Sequence, residues 1–211
     1  MSTNKKVHQI NHPLLAHSLT ILRERGTATA EFRRHAGIVS TVMLIEATRH
    51  LGLEAKSIQT PLAATTGSQL AGRLVVVPVL RAGLAMLAAA QELLADAPVG
   101  FLGLERDETT AIAREYYKKF PCGTLSGSTV LILDPMLATG GSIADTIAAV
   151  QARGGCDIAL VCIVAAPEGI HRITTAFPDV TLFTASVDSH LDDRKYIVPG
   201  LGDFGDRYFG T

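Results

Sequence analysis

The sequence predicts an α/β protein: a doubly wound, mostly parallel sheet with N-terminal helices before it and a long loop or arm within it. Three observations lead there. From residue 57 onward short β-rich runs alternate with helical ones, the order that builds parallel sheets. The runs are nearly all apolar, as strands covered by helices on both faces must be. At 211 residues, 47% hydrophobic and only 18% charged, the chain can bury a full core, and a single domain over 1–211 is the simplest arrangement.

Taken in order, His12-Pro13 opens a helix with Leu15, Leu19 and Leu22 on one face and Gly26 as its stop. A longer helix follows, with Phe32, Ala36, Val39 and Met43 at helical spacing, Thr27 or Thr29 as cap and Gly52 as stop. For these N-terminal helices (1–55) a hood, a dimer surface and plain core cover all remain open. Strands are expected at 57–62, 74–80, 99–104, 129–133, 157–164 and 180–184, and helices at 84–95, 142–153 and 168–176. The segment 105–128 is long for a connection, charged at first and then aromatic through Tyr116 and Tyr117, which suits a flexible lid or an arm toward another subunit. There is no internal repeat and no low-complexity stretch.

A formal net charge of −1 signals neither a nucleic-acid polyanion nor a membrane surface as partner. Cys122, Cys156 and Cys162 are odd in number and lack a C-x-x-C pair, which suits reduced thiols, mostly small buried hydrophobes, in a cytosol. The polar start of the chain has no apolar targeting core, and the longest apolar run, 158–166, is too short to span a bilayer. A soluble cytoplasmic protein is expected.

The chemistry concentrates where the strand 129–133 runs into Asp134-Pro135-Met136-Leu137-Ala138-Thr139-Gly140-Gly141-Ser142. Gly140 and Gly141 have no Cβ to hold an anion off the backbone, and the first N–H groups of the following helix lack intrahelical partners and carry positive partial charge. Thr139 and Ser142 add hydroxyl donors. Asp134 would repel a phosphate and is better suited to ribose hydroxyls, or to a metal through water. A ligand-free strand-to-helix turn competes with this reading. Against it stand the apolar strand before the loop and Ile143, Ile147 and Val150 after it, with Gly154 where the helix should end.

Arg81 and Arg106 each stand just past the carboxyl end of an expected strand. Alone, each reads as a surface salt bridge; as a pair beside a phosphate loop they suggest a clamp for a second, multiply charged anion. The C-terminus contains two decoys. Gly200, Gly202 and Gly205 match a dinucleotide fingerprint in spacing, but no helix is expected to follow, and Asp203-Phe204-Gly205 lacks every companion of a kinase metal motif. What remains is a Gly-dense segment, 186–211, that lets backbone groups approach a small planar ligand.

Together, Glu31-Phe32-Arg33, the run from Pro78 to Leu84, Arg106-Asp107-Glu108-Thr109, Asp134 to Ser142 and Tyr196 to Thr211 resemble a uracil phosphoribosyltransferase over essentially the whole chain. The resemblance implies the type I phosphoribosyltransferase fold. It also implies a reaction in which uracil and 5-phospho-α-D-ribose 1-diphosphate (PRPP) give UMP and pyrophosphate, with Mg²⁺ carried by PRPP. It gives residues 134–142, from Asp134, Pro135, Met136, Leu137 and Ala138 to Ser142, to the 5-phosphoribose. Arg81 and Arg106 go to the diphosphate, Asp203 to PRPP or its metal, and the backbone of Ile197, Gly202, Asp203 and Phe204 to uracil. Related transferases carry two adjacent acids in the phosphoribose loop; Pro135 stands in the second place here, leaving Asp134 alone. Many relatives have a small residue where Phe204 stands, so only its backbone role carries over. A homo-oligomer, dimer or tetramer, and a GTP activator complete what the resemblance implies. A transferase for another base and an RNA-binding regulator on the same fold are the alternatives, the latter disfavoured by the near-neutral charge.

Overall fold

The computed structural model describes residues 6–106, 113–121 and 123–211, with the backbone alone at 104–106 and 113–116. In chain order the elements are β1 (Val7–Gln9), α1 (Pro13–Arg23), α2 (Thr29–Ala47), β2 (Leu53–Gln59), β3 (Ala64–Leu70), β4 (Arg73–Leu80), α3 (Leu84–Leu93), β5 (Phe101–Arg106) and β6 (Ala113–Lys119). Then come β7 (Ser128–Leu133), β8 (Met136–Leu137), α4 (Gly141–Gln151), β9 (Asp157–Ala165), α5 (Pro167–Ala176), β10 (Thr181–Val187), β11 (His190–Leu191), β12 (Ile197–Val198) and α6 (Phe204–Phe209).

Among the described residues the central sheet has eight strands in the order β1-β10-β9-β7-β4-β5-β6, with β8 also paired to β9. Its pairings are parallel except β5 with β6. Alternation along the strands divides the core in two. Val75, Val77, Ile132, Ile158 and Leu160 pack with Ile143, Ile147 and Val150 of α4. Val76, Leu131, Leu133, Val161 and Ile163 face the helices α1, α2 and α3, together with Phe204 and Leu201 from the C-terminal segment. Each such side chain fully removed from water contributes about 1.5–3 kcal/mol before entropy is set against it.

Several sequence expectations are corrected. Of the strand expected at 57–62, only 57–59 lie in β2, which pairs antiparallel with β3 in a separate two-stranded hairpin rather than joining the sheet, and 60–62 form the hairpin turn. Its residues are exposed, so no periodic core face marked β3. The segment 1–55 also holds β1, an edge strand too short to register as a pattern, and the start of β2. Helix α2 is capped at Ala28 without a side-chain bond, because Thr27 Oγ1 donates instead to Ile21 O at 2.6 Å. The segment 105–128 is not all loop: β6 folds back on β5. Residues 107–112 and Cys122 lie outside the described residues. A helix, α6, does follow Gly202, capped by Asp203 Oδ1 accepting from Asp206 N–H at 2.9 Å. Cys162 is buried, and loss of hydration pushes its thiol pKa up to about 12, which leaves it the packing role expected of it; Cys156 is exposed. Among the described residues no helix is long and apolar enough to cross a membrane.

Candidate active site

The loop after β7 is held by the strand beside it. Pro135 O accepts from Ile163 N–H and Val164 N–H, both at 3.0 Å, and Leu137 O accepts from Ala166 N–H at 2.9 Å. These bonds fix Asp134–Ala138 along the carboxyl end of β9 and deliver the chain to Gly140, whose φ of +75° lies in the left-handed region that a side chain resists. Among the described residues no side chain caps α4, and the first-turn N–H groups of a helix lack intrahelical acceptors, so this turn suits an anion. Arg172 of α5, unmarked by any sequence pattern, reaches the same turn: its Nη1 lies 3.6 Å from where a Cβ on Gly141 would stand. That places positive charge beside the first turn of α4.

Asp134 Oδ1 accepts from Met136 N–H at 3.2 Å. Loss of hydration around the carboxyl, only partly offset by that bond, pushes its pKa up to about 7. Both protonation states are therefore within reach near neutrality.

Arg81 stands exposed in the turn between β4 and α3, where Leu84 N–H bonds Arg81 O at 3.1 Å and Gly83 N–H bonds Val79 O at 2.8 Å. Arg106 is the last residue of β5; its side chain lies outside the described residues. A cavity of about 320 Å³ opens at this carboxyl edge, lined by Ala82, by Met136 and Ala138 of the loop after β7, and by Ile197, Gly202, Asp203, Phe204 and their neighbours. Four residues expected at the base thus share one wall with two expected at the phosphoribose. Asp134 and Thr139 to Ser142 are not among its lining residues.

The C-terminal wall of the cavity is anchored by contacts that the sequence did not show. Arg207 Nη1 donates to Leu201 O at 2.7 Å and to Leu22 O, Nη2 donates to Glu24 O at 2.6 Å, and the guanidinium lies 4.5 Å from the centre of the Phe32 ring. Phe204 is buried edge-on against Phe32, with ring centres 5.2 Å apart, so its side chain serves the core and only its backbone is left for a ligand. At the start of the loop, Arg23 and Asp188 form a bidentate pair, at 2.7 and 2.6 Å, that also holds Gly200. Burial alone would raise the Asp188 pKa, but bonds from Arg23, Ser186 and Gly200 outweigh it and hold the carboxyl below its usual range. Arg23 went unread because it looks like an ordinary basic residue at a helix end.

A family model described as uracil phosphoribosyltransferase matches residues 9–211. A uracil phosphoribosyltransferase from Clostridium tetani is 48% identical over 207 residues, covering 98% of this chain and 99% of that one. Another, from Kineococcus radiotolerans, is 49% identical over 206 residues, covering 96% and 97%. Among solved structures, a protein from Aquifex aeolicus superposes with a TM-score of 0.92 at 36% identity, covering 97% of this chain and 98% of that one. An adenine phosphoribosyl transferase from Trypanosoma brucei, at 12% identity and a TM-score of 0.59 over 96% of this chain and 90% of that one, shares the fold.

Proposed function

The chain belongs to the uracil phosphoribosyltransferase family, and on that premise we infer how its own residues divide the work. The enzyme transfers the 5-phosphoribosyl group of PRPP to uracil, giving UMP and pyrophosphate. The observation that best supports the residue assignment is the shared cavity, in which the loop after β7 and the C-terminal segment meet at the carboxyl ends of β4 and β7.

In this reading the first turn of α4, with Gly140, Gly141, Thr139 and Ser142, binds the 5-phosphate, and Arg172 adds charge beside it. Ionised Asp134 accepts from the ribose hydroxyls. As the C1–O bond breaks, negative charge grows on the departing pyrophosphate and positive charge on the ribose ring. Arg81 and Arg106 stabilise the former, being charged before the reaction starts and needing no reorganisation during it. Uracil N1 attacks C1 directly as the C1–O bond breaks, its proton passing to the departing pyrophosphate or to water, so no side-chain nucleophile is required, and positioning supplies much of the rate. Uracil shows a carbonyl, an N–H and a second carbonyl along one edge; a wall that offers N–H, C=O and N–H from the backbone of Ile197, Gly202, Asp203 and Phe204 matches it.

Mg²⁺ fits this site as a passenger on the diphosphate. Among the described residues no three His, Cys, Asp or Glu side chains gather as a protein cage would need, whereas Asp134 and Asp203 offer single carboxylates able to reach an ion through water. Bound there, Mg²⁺ would neutralise charge on the leaving group. Assembly into a homo-oligomer is supported by the exposed Leu53, Ile58, Leu62 and Leu70 of the outlying hairpin, and is measured by mass in solution. GTP activation is part of the same proposal and is tested by adding GTP to the assay.

The deciding experiment offers uracil, cytosine, orotate, hypoxanthine and adenine with PRPP and Mg²⁺ and looks for the nucleotide. UMP alone is expected. A different nucleotide as main product would reassign the base, and no product together with tight binding of a pyrimidine-operon leader RNA would favour the regulator.

A further inference from the structure

Gly200 has a φ of +59°, and a Cβ there would overlap Ile197 O, so the loop between β12 and α6 turns back sharply on itself. Such a turn has few bonds of its own to keep it in place. Both polar groups of Gly200 are instead held from outside: its N–H donates to Asp188 Oδ2 at 2.8 Å, and its carbonyl accepts from Arg23 Nη1 at 2.7 Å. Arg23 and Asp188 in turn bind each other through two bonds, at 2.7 and 2.6 Å, and Ser186 Oγ closes the cluster at 3.0 Å from Arg23 Nη2 and 2.8 Å from Asp188 Oδ1. The Asp188 side chain is 2% exposed and that of Arg23 25%.

Three separate parts of the chain converge here: the last residue of α1, the residue just past β10, and the base-side loop. A buried ion pair seldom adds net stability over packed apolar side chains of the same volume, because desolvation consumes the attraction. This one is arranged around a backbone unit that lies between Ile197 and Gly202, both of which line the cavity. Its consequence is geometric: the two lining residues are reached from a fixed point, with the N–H and C=O directions of the loop set before any ligand arrives.

We propose that Arg23 and Asp188 are positioning residues for base recognition, clamping Gly200 so that Ile197 and Gly202 stand in the register that accepts uracil and rejects cytosine. The proposal rests on the reading of this cavity as the uracil site. Loss of the clamp should loosen uracil binding and base choice while leaving the 5-phosphoribose subsite, built on β7, β9 and α4, unaltered.

Steady-state kinetics of Asp188→Asn, Arg23→Lys and Arg23→Ala test it, with Ile158→Ala as a destabilised control at the far end of β9. Expected for Asp188→Asn and Arg23→Ala is a rise in KM for uracil of roughly ten- to a hundredfold, the scale of an orphaned buried group, with KM for PRPP within about twofold of the parent. The preference for uracil over cytosine should narrow with it. Arg23→Lys, which keeps a cationic donor, should recover part of the loss, and remains informative should Asp188→Asn fail to fold. Ile158→Ala should lower Tm without moving KM for uracil. Equal rises in both KM values, a rise matched by Ile158→Ala, or an unchanged KM for uracil would each overturn the proposal. A parent enzyme that does not use uracil at all would instead overturn the functional reading.

Discussion

Asp134 is held where its charge is expensive, and that sets two opposing predictions. With a folded pKa near 7 against 3.8 for the free side chain, the native state binds more protons than the unfolded chain between those values. Its contribution to stability is therefore lost as pH rises from about 4 to about 7. Asp134→Asn should raise Tm of the unliganded protein at pH 8, by on the order of 1–3 kcal/mol of stability, while removing most turnover. In the parent, kcat/KM for PRPP should fall below about pH 7 as the carboxyl protonates, and the substitution should flatten that limb. A Tm that drops at pH 8 would mean that the carboxylate is satisfied by partners in the fold. For Arg81→Ala and Arg106→Ala, kcat/KM should fall by roughly ten- to a thousandfold, the scale for removing one preorganised donor; unchanged kinetics would return either Arg to an ordinary surface position.

Among the elements, the loop from Asp134 to Ser142 was legible because its signal is local. An apolar strand, two adjacent glycines and a helical repeat in immediate succession leave the backbone little choice. Gly140→Val should abolish PRPP binding, since it forces a branched side chain into a φ of +75° with Gly169 O only 3.3 Å from the new Cβ. Isothermal titration with PRPP would show it, and near-normal affinity in a folded variant would discard the phosphate-loop assignment. The C-terminal segment behaves differently. Its glycines were visible, but Phe204, Arg207 and Gly200 are tied to Phe32, to the end of α1 and to Asp188, residues more than a hundred positions away in most cases, and no local pattern shows such contacts. Deleting 202–211 would therefore damage the core as well as the base site. The cleaner test of the base wall is substrate choice: uracil and 5-fluorouracil used, cytosine rejected by about 10⁴-fold or more, because mismatched donors would face each other. Comparable turnover of cytosine would sink the assignment.

Across the molecule, the two faces of the sheet have different duties. The face under α1, α2 and α3 also receives Phe204 and Leu201, so its packing is continuous with the C-terminal wall of the cavity, while the core under α4 contains neither of them. Phe32→Ala and Leu160→Ala should each cost about 2–5 kcal/mol in chemical unfolding, yet only Phe32→Ala should also raise KM for uracil. Equal effects on KM would show that the faces are not separable.

The sequence by itself determined the layered α/β architecture, the strand–loop–helix at residues 129–153 and the family, since apolar runs, strand-to-helix turns and glycine spacing are consequences of neighbouring residues. Tertiary structure alone decided what the N-terminal helices are for: α1 and α2 cover the sheet and grip the C-terminal segment through Arg23, Leu22, Glu24 and Phe32. It also removed β2 from the sheet and paired it with β3, whose exposed residues leave no hydrophobic period to read. The physical reason is range. Backbone propensity and amphipathic period act over a few residues, whereas the pairing of Arg23 with Asp188 around Gly200 exists only once the sheet has brought the two ends of the chain together.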